Sequence, residues 1–80
     1  MMTLLRIRDV MRVTGLSRPT IYAHKQAGTF PAPVKLGKRI VGWPESEIAA
    51  INAARIAGKS DDEIRVLVAS LEARRAAMPV

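Results

Sequence analysis

Apolar positions along the chain change their spacing several times, and each change marks a boundary between elements. Thr3–Ile7 interleaves apolar residues with Thr3 and Arg6 and predicts a short edge strand. From Asp9, the residues Val10, Met11 and Val13 fit a short helix that Gly15 ends, with Leu16 packing the turn. Ser17 is placed to cap a second helix, Pro19 is tolerated in its first turn, and Thr20–Ala27 continues it until Gly28. Phe30-Pro31-Ala32-Pro33 breaks helical texture. Val34-Lys35-Leu36 and Ile40-Val41-Gly42-Trp43 then read as two strands around Gly37-Lys38-Arg39, a hairpin with a basic tip. Pro44-Glu45-Ser46-Glu47 opens a third helix, with proline and two acids where the macrodipole favours them and Ile48 and Ile51 inward. Gly58 closes it. Ser60-Asp61-Asp62-Glu63 has the form of a capping box, and Ile64, Leu67, Val68 and Leu71 follow at helical spacing, predicting an amphipathic helix to about Ala77.

Length sets the scale of this arrangement: 80 residues suffice for one core. We expect residues 1–58 to form the main domain and residues 59–80 a C-terminal helical extension. Cysteine is absent and His24 is the sole histidine, so neither a disulfide framework nor a histidine–thiolate metal site is expected, and no cofactor. The basic half holds no paired carboxylates, and no Cys–His or Ser–His arrangement stands at catalytic spacing, so an enzyme is not expected. Neither a signal-peptide core nor a run of eighteen apolar residues occurs, which predicts a soluble, cytoplasmic, nucleoid-associated protein without membrane contact.

Charge sharpens the reading because it is concentrated. The net charge is +6, yet residues 1–43 carry eight Lys or Arg against Asp9 alone, while residues 44–80 are slightly acidic. Excess positive charge gathered on one half suggests a polyanionic partner, double-stranded DNA above all. A helix, a glycine-containing turn and a second helix with polar residues at its start form the helix-turn-helix arrangement, whose second helix enters the major groove. Ile21, at the centre of that helix, is assigned to the core, and His24 also points inward. Pro19, Tyr22, Ala23 and Gln26 then face outward, with Arg18 and Thr20 flanking an N-terminus that attracts phosphate oxygens. Arg18 is the strongest candidate for a phosphate or a guanine edge. Tyr22 is divided between donating to phosphate and covering the core. Lys35, Lys38 and Arg39 are the wing candidates for phosphate or a flanking minor groove, and Trp43 and Phe30 are expected to anchor the hairpin.

These residues resemble the AlpA-like phage regulators and the related lambda-type excisionases. The resemblance covers about residues 4–51. It rests on Leu4-Leu5-Arg6, Thr14-Gly15-Leu16-Ser17-Arg18, Thr20-Ile21-Tyr22, Gly28 followed by Phe30-Pro31, Pro33-Val34-Lys35-Leu36-Gly37, and Trp43 followed by Ser46-Glu47. Ala23 stands where such proteins often carry arginine, and His24 where they carry a bulky apolar residue. The resemblance implies a MerR-like winged helix-turn-helix, mainly α with a small β-hairpin wing. It also implies an excision factor that binds and bends attachment-site DNA for a tyrosine-type integrase, or a transcriptional regulator of an integrase or prophage gene. The stripe Ile64, Leu67, Val68 and Leu71 has two readings: packing on its own domain, or self-association along DNA and contact with a partner. If the stripe is the working surface, the chain is a protein-interaction subunit. Arg74 and Arg75 extend the phosphate footprint or are solvated.

Overall fold

The computed structural model describes residues 3–77. Its chain order is β1 (Leu4–Leu5), α1 (Ile7–Thr14), α2 (Arg18–Gln26), β2 (Val34–Lys35), β3 (Val41–Pro44), α3 (Glu45–Ile56), α4 (Asp61–Arg74) and a closing 3₁₀ turn, Arg75–Ala77. The fold is the expected one, a helical domain with a small β wing, compatible with a winged helix-turn-helix.

The first strand is shorter than the sequence predicts. Leu5 is buried opposite Trp43, Arg6 turns the chain in an extended conformation, and α1 begins at Ile7 rather than Asp9. Helical spacing explains the shift, because Ile7, Val10 and Met11 share one face and pack on the core together. The hairpin is also not alone. β1 and β2 both pair antiparallel with β3, in the order β1-β3-β2, with Leu4 opposite Pro44 and Val34 opposite Gly42. Gly42 permits this close approach: a Cβ there would lie 2.9 Å from Leu36 Cδ1 and 3.2 Å from the Leu5 carbonyl oxygen.

A single core joins every layer. Leu5, Val10, Ile21, Phe30, Trp43, Ile48 and Ile51 meet Ile64, Val68 and Leu71 of α4 in one cluster. Among the described residues, α4 thus contributes Ile64, Val68 and Leu71 to the same core as the helix-turn-helix and the wing. Ile64, Val68 and Leu71, read from sequence either as packing on their own domain or as a surface for self-association, are covered by the chain itself, since α4 folds back on α3 after Gly58. Leu67 is half-buried against the same cluster. The α-helix ends at Arg74, and the 3₁₀ turn carries the chain on to Ala77.

Polar contacts pin α4 in place. The Ala32 N–H donates to Glu72 Oε2 at 2.8 Å, and Arg65 Nε donates to the Ala27 carbonyl at 2.9 Å, at the C-terminus of α2. Asn52 Nδ2 donates to the Val13 carbonyl at 2.9 Å and ties α3 to the end of α1. No helix among the described residues is long and apolar enough to cross a membrane.

Candidate nucleic-acid interface

The turn between α1 and α2 is built from three local devices. Gly15 adopts φ +74°, the left-handed region where other residues are strained, and its N–H donates to the Met11 carbonyl at 2.9 Å. Thr14 Oγ1 donates to the Val10 carbonyl and accepts from the Leu16 N–H, fixing the exit. Ser17 then caps α2: its side chain accepts from the Thr20 N–H at 3.3 Å, and Pro19 lies within the first turn.

Along α2 the outward face is the one the helical spacing predicts. Ile21 is fully buried, while Arg18, Pro19, Tyr22, Ala23 and Gln26 are exposed. Thr20 is half-buried and its hydroxyl lies 2.8 Å from Ser17 Oγ, so this side chain serves the cap first. Tyr22 does two things at once. Its ring stands edge-on to Trp43 with centroids 6.3 Å apart, yet about a third of the residue remains accessible. Trp43 is fully buried, donates from Nε1 to the Pro31 carbonyl at 2.9 Å, and meets Phe30 edge-on. This aromatic seam locks the wing to α2.

The hairpin tip closes with the Leu36 N–H donating to the Ile40 carbonyl at 2.8 Å, leaving Lys38 and Arg39 exposed at the end. Lys35 is exposed opposite Val41, and strand alternation puts it on Trp43's side of the ribbon, the side to which Tyr22 packs.

Ion pairing divides the surface in two. Among the described residues, Arg55 pairs with Asp61, Lys59 with Glu63, Arg65 with Asp62 and Arg75 with Glu47. In the other half only Arg12 is paired, with Asp9; Arg6, Arg8, Arg18, Lys25, Lys35, Lys38 and Arg39 face no described carboxylate within bridging distance. The helix-turn-helix and the wing thus present positive charge that the chain leaves uncompensated. Arg75, read from sequence as a possible phosphate contact, is withdrawn from that surface: it binds Glu47 Oε1 at 2.6 Å, Glu47 Oε2 at 2.9 Å and the Ala32 carbonyl at 2.7 Å. The partnership was hidden because the residues lie 28 positions apart, although Glu47, Ile51 and Ala54 follow helical spacing and so share a face.

His24 turns inward as expected. Its Nδ1 is buried without a hydrogen-bond partner, beside a cavity of about 260 Å³ lined by residues that include Leu16, Phe30, Ile51 and Asn52. Among the described residues no group of three His, Cys, Asp or Glu could hold a metal ion.

Residues 3–55, the strand, helix-turn-helix, wing and almost all of α3, match the family described as Prophage CP4-57 regulatory protein (AlpA). The chain belongs to the AlpA family. It is also similar to the uncharacterized protein ORF88 of Enterobacteria phage P4, with 49% identity over 55 residues, covering 69% of this chain and 62% of that relative. The chain thus spans less than two thirds of the relative's length. No solved structure matches at a significant level. The AlpA match stops at residue 55, before the capping box of α4, so α4's place in the core is a feature that the family comparison leaves undescribed.

Proposed function

We propose that this AlpA-family chain is a sequence-specific duplex DNA-binding protein of a prophage or mobile element. In this reading α2 lies in the major groove and the wing reaches the flanking backbone. The observation that carries it is the uncompensated charge: Arg18 at the start of α2 and Lys35, Lys38 and Arg39 on the wing are exposed, without described carboxylate partners. Phosphates neutralise such a surface, and counterion release makes the affinity fall steeply with salt. The N-terminal residues of α2, Arg18 with Pro19 and then Tyr22, Ala23 and Gln26, are the ones a major groove meets.

The finer role is that of an excision factor. Copies binding adjacent sites bend attachment-site DNA, and a tyrosine-type integrase then favours excision. The family's description as a regulatory protein supports a second role, transcriptional control of an integrase or prophage gene through the same surface. A gel-shift and bending assay separates them, run at two salt concentrations on DNA around the protein's own gene and on the nearest attachment site. Stepwise, bent complexes on attachment-site DNA support the excision factor, and binding confined to promoter DNA supports the regulator. Binding that ignores salt on both overturns the DNA reading.

A further inference from the structure

Residues 27–33 connect the end of α2 to the first strand of the wing, and α4 holds this connector at both ends. Arg65 Nε donates to the Ala27 carbonyl at 2.9 Å, and the Arg65 stem lies over Gly28, where an added Cβ would meet Cγ at 3.6 Å. Two turns further along α4, Glu72 Oε2 accepts from the Ala32 N–H at 2.8 Å. Arg75, just past the end of the helix, donates from Nη2 to the Ala32 carbonyl at 2.7 Å. Residues 65 and 72 stand seven apart and so share one face of α4. Pro31 and Pro33 flank Ala32 and have no N–H to offer, and the Pro31 carbonyl is taken by Trp43 Nε1. Side chains from α4 and the wing therefore hold this stretch of main chain.

These contacts are poorly suited to touching DNA themselves. Glu72 is anionic and would repel phosphate, and Arg65 bridges Asp62 at 2.7 Å. Their place in the fold suits another task, because the two candidate DNA-contacting elements, α2 and the wing, lie on either side of the connector. A duplex sets a fixed distance between its major groove and the flanking phosphates. A protein that already holds both elements at that distance binds without the cost of ordering them.

We propose that Arg65, Glu72 and Arg75 are positioning residues for DNA binding, which fix the wing relative to α2 by gripping the connector between them. This rests on the DNA reading above and extends it to a segment beyond the AlpA match, which ends at residue 55.

The test uses Glu72→Ala and Glu72→Gln, and leaves Arg75 in place because its loss also strands Glu47. Anisotropy titrations over a salt series use labelled duplexes from the DNA around the protein's own gene and from the nearest attachment site, at temperatures where thermal unfolding shows each variant folded. Glu72→Ala is expected to bind about tenfold more weakly than the parent, because the wing must be ordered on binding. Glu72→Gln keeps an oxygen acceptor for the Ala32 N–H and is expected to restore parent-like affinity. The decisive readout is coupling. In the Glu72→Ala background, Lys38→Ala with Arg39→Ala is expected to cost at least about threefold less than in the parent, while Arg18→Ala costs the same in both. A merely structural role for Glu72 would leave both costs unchanged.

Arg65→Met keeps the stem over Gly28 and loses the bond to the Ala27 carbonyl. It is expected to show the same coupling, and it carries the test at an exposed position if Glu72→Ala does not fold. Parent-like affinity in folded Glu72→Ala overturns the proposal, as do equal costs of the wing substitutions in both backgrounds. If the parent shows no salt-dependent binding to either duplex, the DNA reading fails and the proposal with it; salt-dependent binding by the parent without coupling removes the proposal alone.

Discussion

Arg75 grips Glu47 with two hydrogen bonds, Nη2 to Oε1 at 2.6 Å and Nε to Oε2 at 2.9 Å, and its Nη2 also donates to the Ala32 carbonyl. Glu47 is fully buried in the first turn of α3, and Arg75 begins the turn that follows α4. One guanidinium thus joins α3, the Pro-rich segment before the wing and the C-terminal end of the chain. The hydrogen bonds to Glu47 raise the pKa of Arg75 above its ordinary value, against the opposing effect of burial, so the guanidinium stays charged at any working pH.

Breaking this pair from one side leaves a carboxylate stranded in the interior. Arg75→Met is expected to lower the unfolding free energy by about 3–5 kcal/mol in urea titrations. The double variant Glu47→Met, Arg75→Met removes both charges and is expected to be clearly more stable than the single one. A single variant as stable as the parent would show that Glu47 finds another partner.

Gly42→Ala tests the wing's attachment. The added Cβ can displace the flexible end of Leu36, but it also crowds the Leu5 backbone carbonyl at 3.2 Å, so β1 must shift away from β3. A loss of about 1–3 kcal/mol is expected in thermal or urea unfolding. Unchanged stability would mean that β1 yields without cost.

On the DNA-facing side, Lys38→Ala with Arg39→Ala is expected to weaken binding to all duplexes alike and to reduce the salt slope by about two, one for each lost phosphate contact. Arg18→Ala is expected to cost about 1–3 kcal/mol on the protein's own site and to narrow the gap between specific and non-specific DNA. Titrations on both kinds of duplex measure this. A folded Arg18→Ala protein that binds its own site like the parent would take the start of α2 off the interface.

The capping box of α4 predicts a pH dependence. Glu63 accepts from the Ser60 N–H at 3.0 Å, and that bond, then the Ser60 hydroxyl and then Lys59, hold its pKa below the ordinary carboxylate value. A lowered folded-state pKa means its contribution is complete above the ordinary carboxylate range and is lost as the pH falls through it toward the lowered value. Helix content followed by circular dichroism should therefore fall less on acidification in Glu63→Gln than in the parent. Equal acid sensitivity would place the cause in other carboxylates.

Local signals made much of this protein legible before any coordinates. Ser17 and Pro19 at the start of α2, Gly28 after its end, the basic tip Gly37-Lys38-Arg39 and the Ser60–Glu63 box each act within a few residues, so spacing alone exposes them. The outward face of α2 followed from helical period once Ile21 was taken as core. The pairing of β1 with β3, the glycine that admits it, the burial of Ile64, Val68 and Leu71, and the ion pair that takes Arg75 from the DNA-facing set were decided by tertiary structure. Leu5 meets Trp43 and Arg75 meets Glu47 across long stretches of chain, and no local pattern records such a meeting. An amphipathic stripe states only that it must be covered, because the hydrophobic effect has no direction and accepts its own core or a partner equally. Here the fold-back after Gly58 made the choice for Ile64, Val68 and Leu71, while Leu36 and Ile40 of the wing stand half-exposed beside Lys38 and Arg39.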